Sequence, residues 1–255
     1  MAVSNRAADR NAAGVTPLPL SRQTAVLTLL IAAVFWGIAL VMWRNTALDK
    51  WLLISHEGLR ASKLAATLAQ LASGYGMSVI VLVYLLYWSF AFKYEELRSA
   101  YPVYLLLLLL FGIAAIGGEV LKEILNRPRP FVEYAGQIHA FSDAATASLP
   151  SGHATKSMAL ALPFLLSIPG KDQWHKTAKL LLVFIVLGVC YSRVLLGAHY
   201  VSDVLAGVGT ALAFFPPTTL LTNILLRRMT SERLHSAIRV WGVILVALMI
   251  YLALQ

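Results

Sequence analysis

The chain has 255 residues, of which 59% are hydrophobic and only 13% are charged. This composition excludes an ordinary soluble domain and indicates a membrane protein. The length allows one compact bundle of about six or seven spans and leaves no room for a second sizeable domain. The formal charge of +9 comes from Lys and Arg in short clusters between apolar runs, which favours anionic lipid over nucleic acid as the partner.

The amino-terminal stretch differs in composition from everything that follows. It carries Arg6, Arg10 and Arg22 among small polar residues without an apolar period, which predicts a disordered cytoplasmic tail over residues 1–23. The next apolar run is too long for a signal-peptide core, so we interpret it as a retained span. Residues 24–255 are then expected to form a single membrane-embedded domain.

Long apolar runs separated by polar turns predict an all-α, polytopic transmembrane helix bundle. Pro163 lies inside one run and is expected to be tolerated, because neighbouring helices can satisfy the backbone carbonyl that it frees. The single cysteine, Cys190, also lies in an apolar run, which excludes an internal disulfide and a thiolate metal cluster. Six core spans are expected at residues 24–43, 75–92, 101–121, 154–168, 180–196 and 201–226, with a seventh, carboxy-terminal span at 240–254.

Residues 50–71 show leucines at mixed helical spacings, interrupted by His56, Glu57, Arg60 and Lys63. We interpret this segment as a short interfacial helix that lies on the membrane surface rather than as a span.

The basic turns indicate the orientation of the bundle. If the spans alternate, most of these turns fall on the side of the amino terminus, which is therefore predicted to be cytoplasmic. The opposite side receives residues 50–71, 122–152 and 195–199. Four cations on that side violate the orientation rule, and binding of an anion would explain them: Lys122, Arg127, Arg129 and Arg193.

Two polar motifs on this side are weak when each is taken alone. In Lys122 to Pro130 (KEILNRPRP), Lys122 and Arg129 lie seven residues apart and can face one way, although a basic collar for lipid headgroups would have the same composition. In Pro150 to His153 (PSGH), Ser151 and Gly152 would sit at a helix N-terminus that favours an anion, or would form an ordinary helix cap.

The third motif is Ser192 to Asp203 (SRVLLGAHYVSD). Its spacing of four puts His199 and Asp203 on one helix face, so the carboxylate can accept one imidazole N–H and leave the other nitrogen free as a nucleophile. A structural His–Asp pair at a helix start is the alternative. It would leave Arg193 and His153 unexplained.

Together the three motifs, K-x6-RP, PSGH and SR-x5-H-x3-D, resemble the signature of the type 2 phosphatidic acid phosphatase (PAP2) superfamily. Arg127 and Pro128 form a further RP pair, but Arg129 stands at the spacing of the family. The resemblance implies that His199 attacks phosphorus to form a phosphohistidine and that Asp203 orients it. It implies that His153 protonates the leaving oxygen and then activates water. The groups implied to hold the phosphoryl oxygens are Lys122, Arg129, Ser151, Gly152 and Arg193.

The resemblance therefore implies a lipid phosphatase at the outer face of a bacterial inner membrane. No cofactor or metal is expected, and the motifs lack the carboxylate cluster that Mg²⁺ would need. Undecaprenyl diphosphate, phosphatidylglycerol phosphate, phosphatidate and the phosphates of lipid A all remain open as substrates. A lipid-to-lipid phosphotransferase would use the same residues. A lipid or anion transporter is disfavoured because the charges cluster at one boundary and no internal repeat is visible.

Some polar residues near this side have no role in the three motifs. His139 and Asp143 fall in a segment rich in Ala, Ser and Gly, so we interpret them as loop residues that could contact a headgroup. Lys156, in the first turn of the fourth span, is interpreted as a side chain that extends to the lipid headgroups.

Overall fold

The computed structural model describes residues 17–93, 101–141, 145–167, 172–229 and 231–254. Every regular element within these ranges is a helix, which confirms the predicted all-α class. The helices are α1 (Arg22–Arg44), α2 (Thr46–Ser55), α3 (Glu57–Arg60), α4 (Lys63–Lys93), α5 (Tyr101–Leu125), α6 (Pro130–Glu133), α7 (Gly152–Ser167), α8 (Gln173–Leu195), α9 (Val201–Arg227) and α10 (Ser231–Ala253).

Five of these helices, namely α1, α4, α5, α8 and α9, are long and apolar enough to cross a membrane, which supports a membrane protein. The fourth predicted span corresponds to α7, which has 16 residues and is therefore only about 24 Å long. The side chains of α7 are mostly buried within the bundle. In α10, the apolar part is the shorter stretch Gly242–Leu252.

The interfacial helix predicted over residues 50–71 is wrong in its second half. Two short helices, α2 and α3, cover the first half, but Lys63 already begins α4, which then continues for 31 residues. Ala66 and Ala69 are buried on this first part of α4, whereas Leu64 and Leu68 point outward. The alanines face the bundle, because small residues let membrane helices approach closely. The leucines that suggested a surface helix lie on the opposite, outward face of a span.

Helix α9 is central to the bundle. It packs along α1 and also contacts α5, α7 and α8, while α4 packs against α8 and α10. Helix α7 lies among α4, α5, α8 and α9. The ends of α5 and α8 and the starts of α7 and α9 belong to the three sequence motifs, so this packing decides whether the motifs meet.

A side chain of α4 bonds to backbone groups beside Pro163, although the carbonyl that Pro163 itself frees is that of Ala159. The Tyr84 hydroxyl donates to the Leu160 carbonyl at 2.8 Å and accepts from the Phe164 amide at 3.0 Å. Pro163 interrupts the helical hydrogen-bond ladder, and Tyr84 bridges the pair of backbone groups next to the missing bond, the Leu160 carbonyl and the Phe164 amide.

The chain just before α1 is held against α9. The amide of Leu18 donates to Asn223 Oδ1 at 2.8 Å, and Asn223 Nδ2 donates to the Leu18 carbonyl at 3.2 Å. Ser21 caps α1 by accepting from the Thr24 amide at 2.9 Å. The rest of the predicted tail, residues 1–16, lies outside the described residues.

Candidate active site

The three motif segments meet at one end of the helix bundle. Arg129 follows the end of α5, Ser151 immediately precedes α7, and the turn between α8 and α9 contains His199. The Ser151 amide donates to the Asp203 carbonyl at 2.9 Å, which joins the second motif to the third. The sequence therefore folds its separated polar motifs into one cluster.

His199 lies at the centre of this cluster and is 2% exposed. Its Nε2 atom lies 3.3 Å from Arg129 Nη1, and its Nδ1 atom lies 3.4 Å from Asp203 Oδ2. The latter distance is long for an N–H···O hydrogen bond, and Nδ1 has no hydrogen-bond partner by geometry among the described residues. A guanidinium can only donate, so its contact favours the tautomer with an unprotonated Nε2.

Asp203 is fully buried and holds its carboxylate between several donors. Oδ1 accepts from Arg127 Nη1 at 2.7 Å, and Oδ2 accepts from the Tyr200 amide at 2.9 Å. The second bond closes the first turn of α9 around the His–Asp pair. His199 lies in the turn before α9, which begins at Val201, so the two side chains meet at the start of the helix and not on one helix face as predicted.

A glycine on α9 allows the second motif to lie this close. A Cβ atom on Gly207 would fall 2.6 Å from the Ser151 carbonyl oxygen and 3.0 Å from the Ala154 Cβ atom. The start of α7 therefore rests directly on the backbone of α9, and the close approach requires the absence of a side chain at Gly207.

Arg129 is fixed by the loop that precedes the second motif. Its Nε donates to the Thr146 carbonyl at 2.6 Å, its Nη2 donates to Thr146 Oγ1 at 2.9 Å, and its Nη1 donates to the Ala198 carbonyl at 3.2 Å. The guanidinium thus points at His199 with little rotational freedom. Thr146 was not identified from the sequence, because a threonine in a loop has no distinguishing pattern.

Lys122 lies on the last turns of α5 and is 7% exposed. Its ammonium group is 2.8 Å from Glu119 Oε1, on a carboxylate whose side chain is 49% exposed. It also lies 3.2 Å from where a Cβ atom of Gly152 would stand. The first motif therefore brings its lysine to the amino-terminal end of α7.

Besides His199 Nδ1, two further buried polar atoms of the cluster have no hydrogen-bond partner among the described residues. They are Arg193 Nε and Ser151 Oγ. Arg193 is held at its other end by Nη1, which donates to Ser73 Oγ on α4. Buried polar groups are nearly always hydrogen-bonded, so two such atoms in one cluster indicate where a polar ligand would bind.

The cluster has a strongly positive electrostatic field. Burial of the ring and, next to it, the charges of Arg193, Arg129 and Lys122 hold the pKa of His199 well below its usual range. The ring is therefore neutral at physiological pH, as a nucleophile must be.

His153 lies in the first turn of α7 and is partly buried. It is close enough to the rest of the cluster for the charges of Arg193 and Lys122 to act on it. Lys156 lies one turn further along α7 and acts electrostatically on both His153 and Lys122. All eight site residues predicted from the sequence thus belong to the same end of the bundle.

Other polar residues lie beside the cluster rather than in it. His139 is exposed and contacts Glu57 on α3, and Tyr200 donates to Glu133 Oε2 at 2.6 Å. Asp143 lies outside the described residues. Within the described ranges, no group of three or more His, Cys, Asp or Glu side chains could hold a metal ion.

A largely apolar cavity of about 660 Å³ lies between α1, α7, α8 and α9. Val204, the residue after Asp203, and Cys190, one turn before Arg193, line it. From there it continues along the helices to Leu212 and to Leu27 on α1. An apolar cavity of this size suits a hydrocarbon chain.

Comparison with known proteins agrees with this arrangement. The family described as the PAP2 superfamily matches residues 103–225. Phosphatidylglycerophosphatase B of Bacillus subtilis (strain 168) is 34% identical over 115 residues, which cover 44% of this chain and 54% of that protein. The "Putative undecaprenyl-diphosphatase YbjG" of Escherichia coli (strain K12) is 30% identical over 132 residues, covering 45% of this chain and 62% of that protein. The matches thus span little more than half of each relative.

A solved structure shares the fold. It is the crystal structure described as the first transmembrane PAP2 type phosphatidylglycerolphosphate phosphatase from Bacillus subtilis. The two chains superpose with a TM-score of 0.57 at 22% identity, over 82% of this chain and 99% of the other.

Proposed function

This chain belongs to the PAP2 superfamily through its residues 103–225, and on that premise we propose that it is an integral-membrane lipid phosphatase. It hydrolyses a phosphate monoester or diphosphate of a lipid through a phosphohistidine intermediate. The observation that carries this proposal is the convergence of three distant motifs around one buried, neutral histidine, with cations on several sides of it.

In the first half of the reaction, His199 Nε2 attacks phosphorus. A bond forms between Nε2 and phosphorus as the bond from phosphorus to the lipid oxygen breaks. Asp203, beside Nδ1, orients the ring and stabilises the positive charge that develops on it. His153 donates a proton to the departing oxygen, so the lipid leaves as an alcohol, or as a monophosphate if the substrate is a diphosphate.

In the second half, His153 accepts a proton from water, whose oxygen attacks the phosphohistidine. The phosphorus–Nε2 bond breaks and inorganic phosphate leaves. Each half therefore begins with His153 in the protonation state that the previous half produced. The enzyme returns to its starting state after one turnover.

The cations of the cluster would stabilise the phosphoryl group during both halves. Phosphoryl transfer depends mainly on positioning and charge stabilisation, which Lys122, Arg129 and Arg193 supply from three different segments. The atoms Arg193 Nε and Ser151 Oγ, buried without partners among the described residues, would bond to phosphoryl oxygens. The amide of Gly152, at the start of α7, would add a further donor.

The apolar cavity supports a lipid as the bearer of the phosphate. It reaches Val204, the residue that follows Asp203 in the first turn of α9, so we propose that it takes the hydrocarbon chain of a substrate whose phosphate lies at His199. The orientation rule places the cluster on the side opposite the basic turns. We therefore propose a site at the outer face of a bacterial inner membrane, with the amino terminus in the cytoplasm.

The test is phosphate release from a panel of lipids in detergent micelles containing EDTA. The panel contains undecaprenyl diphosphate, phosphatidylglycerol phosphate, phosphatidate and lipid A, each labelled in the terminal phosphate. We expect the purified protein to release free labelled phosphate from at least one of them. We expect a labelled, acid-labile phosphoenzyme to accumulate on rapid quenching.

The matched variants are His199→Ala and His139→Ala. His139 is exposed and lies outside the cluster, so its loss should leave phosphate release unchanged. Undiminished release by His199→Ala would refute the assignment of the nucleophile. Label that appears in another lipid instead of in free phosphate would show a phosphotransferase.

A further inference from the structure

A buried chain of charges lies behind the His–Asp pair. Arg127 is 3% exposed and bridges two carboxylates, with Nη1 2.7 Å from Asp203 Oδ1 and Nη2 2.9 Å from Asp49 Oδ2. Asp49 is 1% exposed and lies on α2, far before the region that matches the superfamily. The third partner is Ser202, whose hydroxyl contacts both Arg127 and Asp49.

Several contacts fix the orientation of the Arg127 guanidinium. Its centre lies 3.8 Å from the centroid of the Tyr200 ring and 5.9 Å from that of Trp43. Asp49 Oδ1 also accepts from the Ser202 amide at 3.2 Å, in the first turn of α9. The charge chain is therefore attached to the same helical turn that carries Asp203.

These contacts distinguish Arg127 from its neighbour Arg129. Both end nitrogens of Arg127 are bound to carboxylates, whereas Arg129 points at His199. A carboxylate such as Asp203, buried without access to water, is stable as an anion only with a hydrogen-bonded cation beside it. Arg127 is this cation, and it lies on the side of Asp203 away from His199. Asp49 in turn holds Arg127 through its other end nitrogen.

We propose that Arg127 and Asp49 are positioning residues for the His199–Asp203 pair, which promote phosphoryl transfer through Asp203 without touching the substrate. This inference rests on the proposed phosphatase function. It assigns a role to Arg127, whose RP pair with Pro128 does not stand at the spacing of the family. It also makes α2 part of the catalytic apparatus, although α2 contributes no group to the phosphate.

The experiment measures the rate constant of phosphoenzyme formation in single turnovers with labelled lipid phosphate. A rate constant does not depend on the fraction of protein that is folded, so a purely structural defect would not change it. For Arg127→Gln we expect a fall on the order of 10- to 100-fold, the effect that loss of outer partners has at metal-site histidines. Asp49→Asn keeps the shape of the side chain and should have a smaller effect in the same direction.

Binding of orthovanadate, a phosphate analogue, separates positioning from phosphate binding. Arg127→Gln should bind orthovanadate as tightly as the wild type does, whereas the matched variant Arg129→Gln should bind it more weakly. If Arg127→Gln weakens orthovanadate binding as much as Arg129→Gln does, Arg127 is a phosphate ligand and the proposal is overturned.

A double-mutant cycle tests whether Arg127 acts through Asp203. In an Asp203→Asn background, Arg127→Gln should lower the rate constant little further, because the group through which it acts has already been neutralised. Equal proportional losses in both backgrounds would overturn the proposal. Arg127→Lys is the substitute if Arg127→Gln does not fold.

Failure of the proposed function would be recognised separately. If the wild type forms no phosphoenzyme and releases no phosphate from any lipid of the panel, the phosphatase proposal is wrong. The charge chain is then tested by thermal unfolding of Arg127→Gln, Asp49→Asn and the double variant. Non-additive shifts of the melting temperature would support the buried pairing, and additive shifts would overturn it.

Discussion

Arg129 Nη1 lies 3.3 Å from His199 Nε2, although the two residues are 70 positions apart in the chain. The guanidinium is held there by its bonds to Thr146 and to the carbonyl of Ala198. In the proposed reaction, this cation directly beside Nε2 would keep the nitrogen unprotonated until it attacks phosphorus. The same cation would lie close to the phosphoryl oxygens once the bond to phosphorus forms.

The geometry of Arg129 predicts that lysine cannot replace it. An ammonium group cannot donate to Thr146 and at the same time point at His199, because it lacks the planar fork of arginine. We expect Arg129→Lys to lower kcat/KM roughly 100-fold, the range found when one oxyanion donor is removed. Steady-state release of phosphate from the preferred lipid measures this.

The control for this substitution is Arg228→Lys, at an exposed position just after α9. It should leave kcat/KM unchanged. If Arg129→Lys also keeps full activity, positive charge alone is sufficient at this position and the fixed orientation of Arg129 is irrelevant to catalysis.

The pH dependence of phosphoenzyme formation follows from the depressed pKa of His199. Burial and the neighbouring arginines hold this pKa below the ordinary imidazole value of about 6.5. Protonation of His199 should therefore not lower the rate constant as the pH falls through about 6.5, and should do so only at lower pH. Arg129→Gln removes one positive charge, which raises the pKa, so its decline should begin at higher pH than that of the wild type.

The same shift has a consequence for stability. Because the folded-state pKa of His199 lies below the unfolded value, the unfolded chain binds more protons between the two values. The free energy of unfolding should thus fall as the pH drops through about 6.5. His199→Gln should weaken this pH dependence of the melting temperature.

A wild-type rate constant of phosphoenzyme formation that declines at about pH 6.5 would contradict the assignment of a lowered pKa to His199.

Much of the site could be predicted from the sequence because its chemistry is local to short motifs. Lys122 lies on the last turns of α5 and Asp203 in the first turn of α9, whereas Arg129 and His199 lie just outside these helices, so helical periodicity placed each pair near one helix end but not on one helix face. Charged residues are costly near a bilayer, so their concentration on one side already indicated a shared site. The structure brings these residues together as expected.

The partners of the site residues could not be predicted in the same way. Asp49 and Arg127 are 78 residues apart and meet only through tertiary packing. Arg60 likewise appeared to be a surface charge, but it is buried because it donates to the carbonyls of Val194 and Leu195 at the end of α8. A charge that interrupts an apolar run looks the same in sequence whether water or another segment satisfies it.

The contact between α7 and α9 predicts the effect of a methyl group at Gly207. In Gly207→Ala the new Cβ atom would clash with the Ser151 carbonyl, and a backbone atom cannot move aside cheaply. We expect a loss of about 1–3 kcal/mol in the free energy of unfolding, as for other overpacked sites. Activity should fall as well, because Ser151 and Gly152 would be displaced. Melting curves in detergent and phosphate release measure the two effects.

Gly188→Ala is the matched control, since a Cβ atom at this position of α8 would meet no atom within 4 Å. It should leave activity unchanged and stabilise the helix by about 0.5–1 kcal/mol. Equal melting temperatures for Gly207→Ala and the wild type would mean that α7 can move away from α9 without cost.

The hydroxyl of Tyr84 predicts a coupling between α4 and the proline of α7. Tyr84→Phe removes the group that donates to the Leu160 carbonyl and accepts from the Phe164 amide. Leaving these buried groups without partners should cost about 1–3 kcal/mol in the free energy of unfolding. The matched control is Tyr75→Phe, at an exposed position of the same helix, which should have no effect.

The cause of this cost can be isolated with a second substitution. Pro163→Ala restores an N–H to α7, so the helix can close its own hydrogen bonds and no longer needs the hydroxyl. Tyr84→Phe should therefore cost less in the Pro163→Ala background than in the wild type, as measured by thermal unfolding of all four proteins. Equal costs in both backgrounds would show that Tyr84 stabilises the bundle by packing alone, through its edge contact with the Phe164 ring.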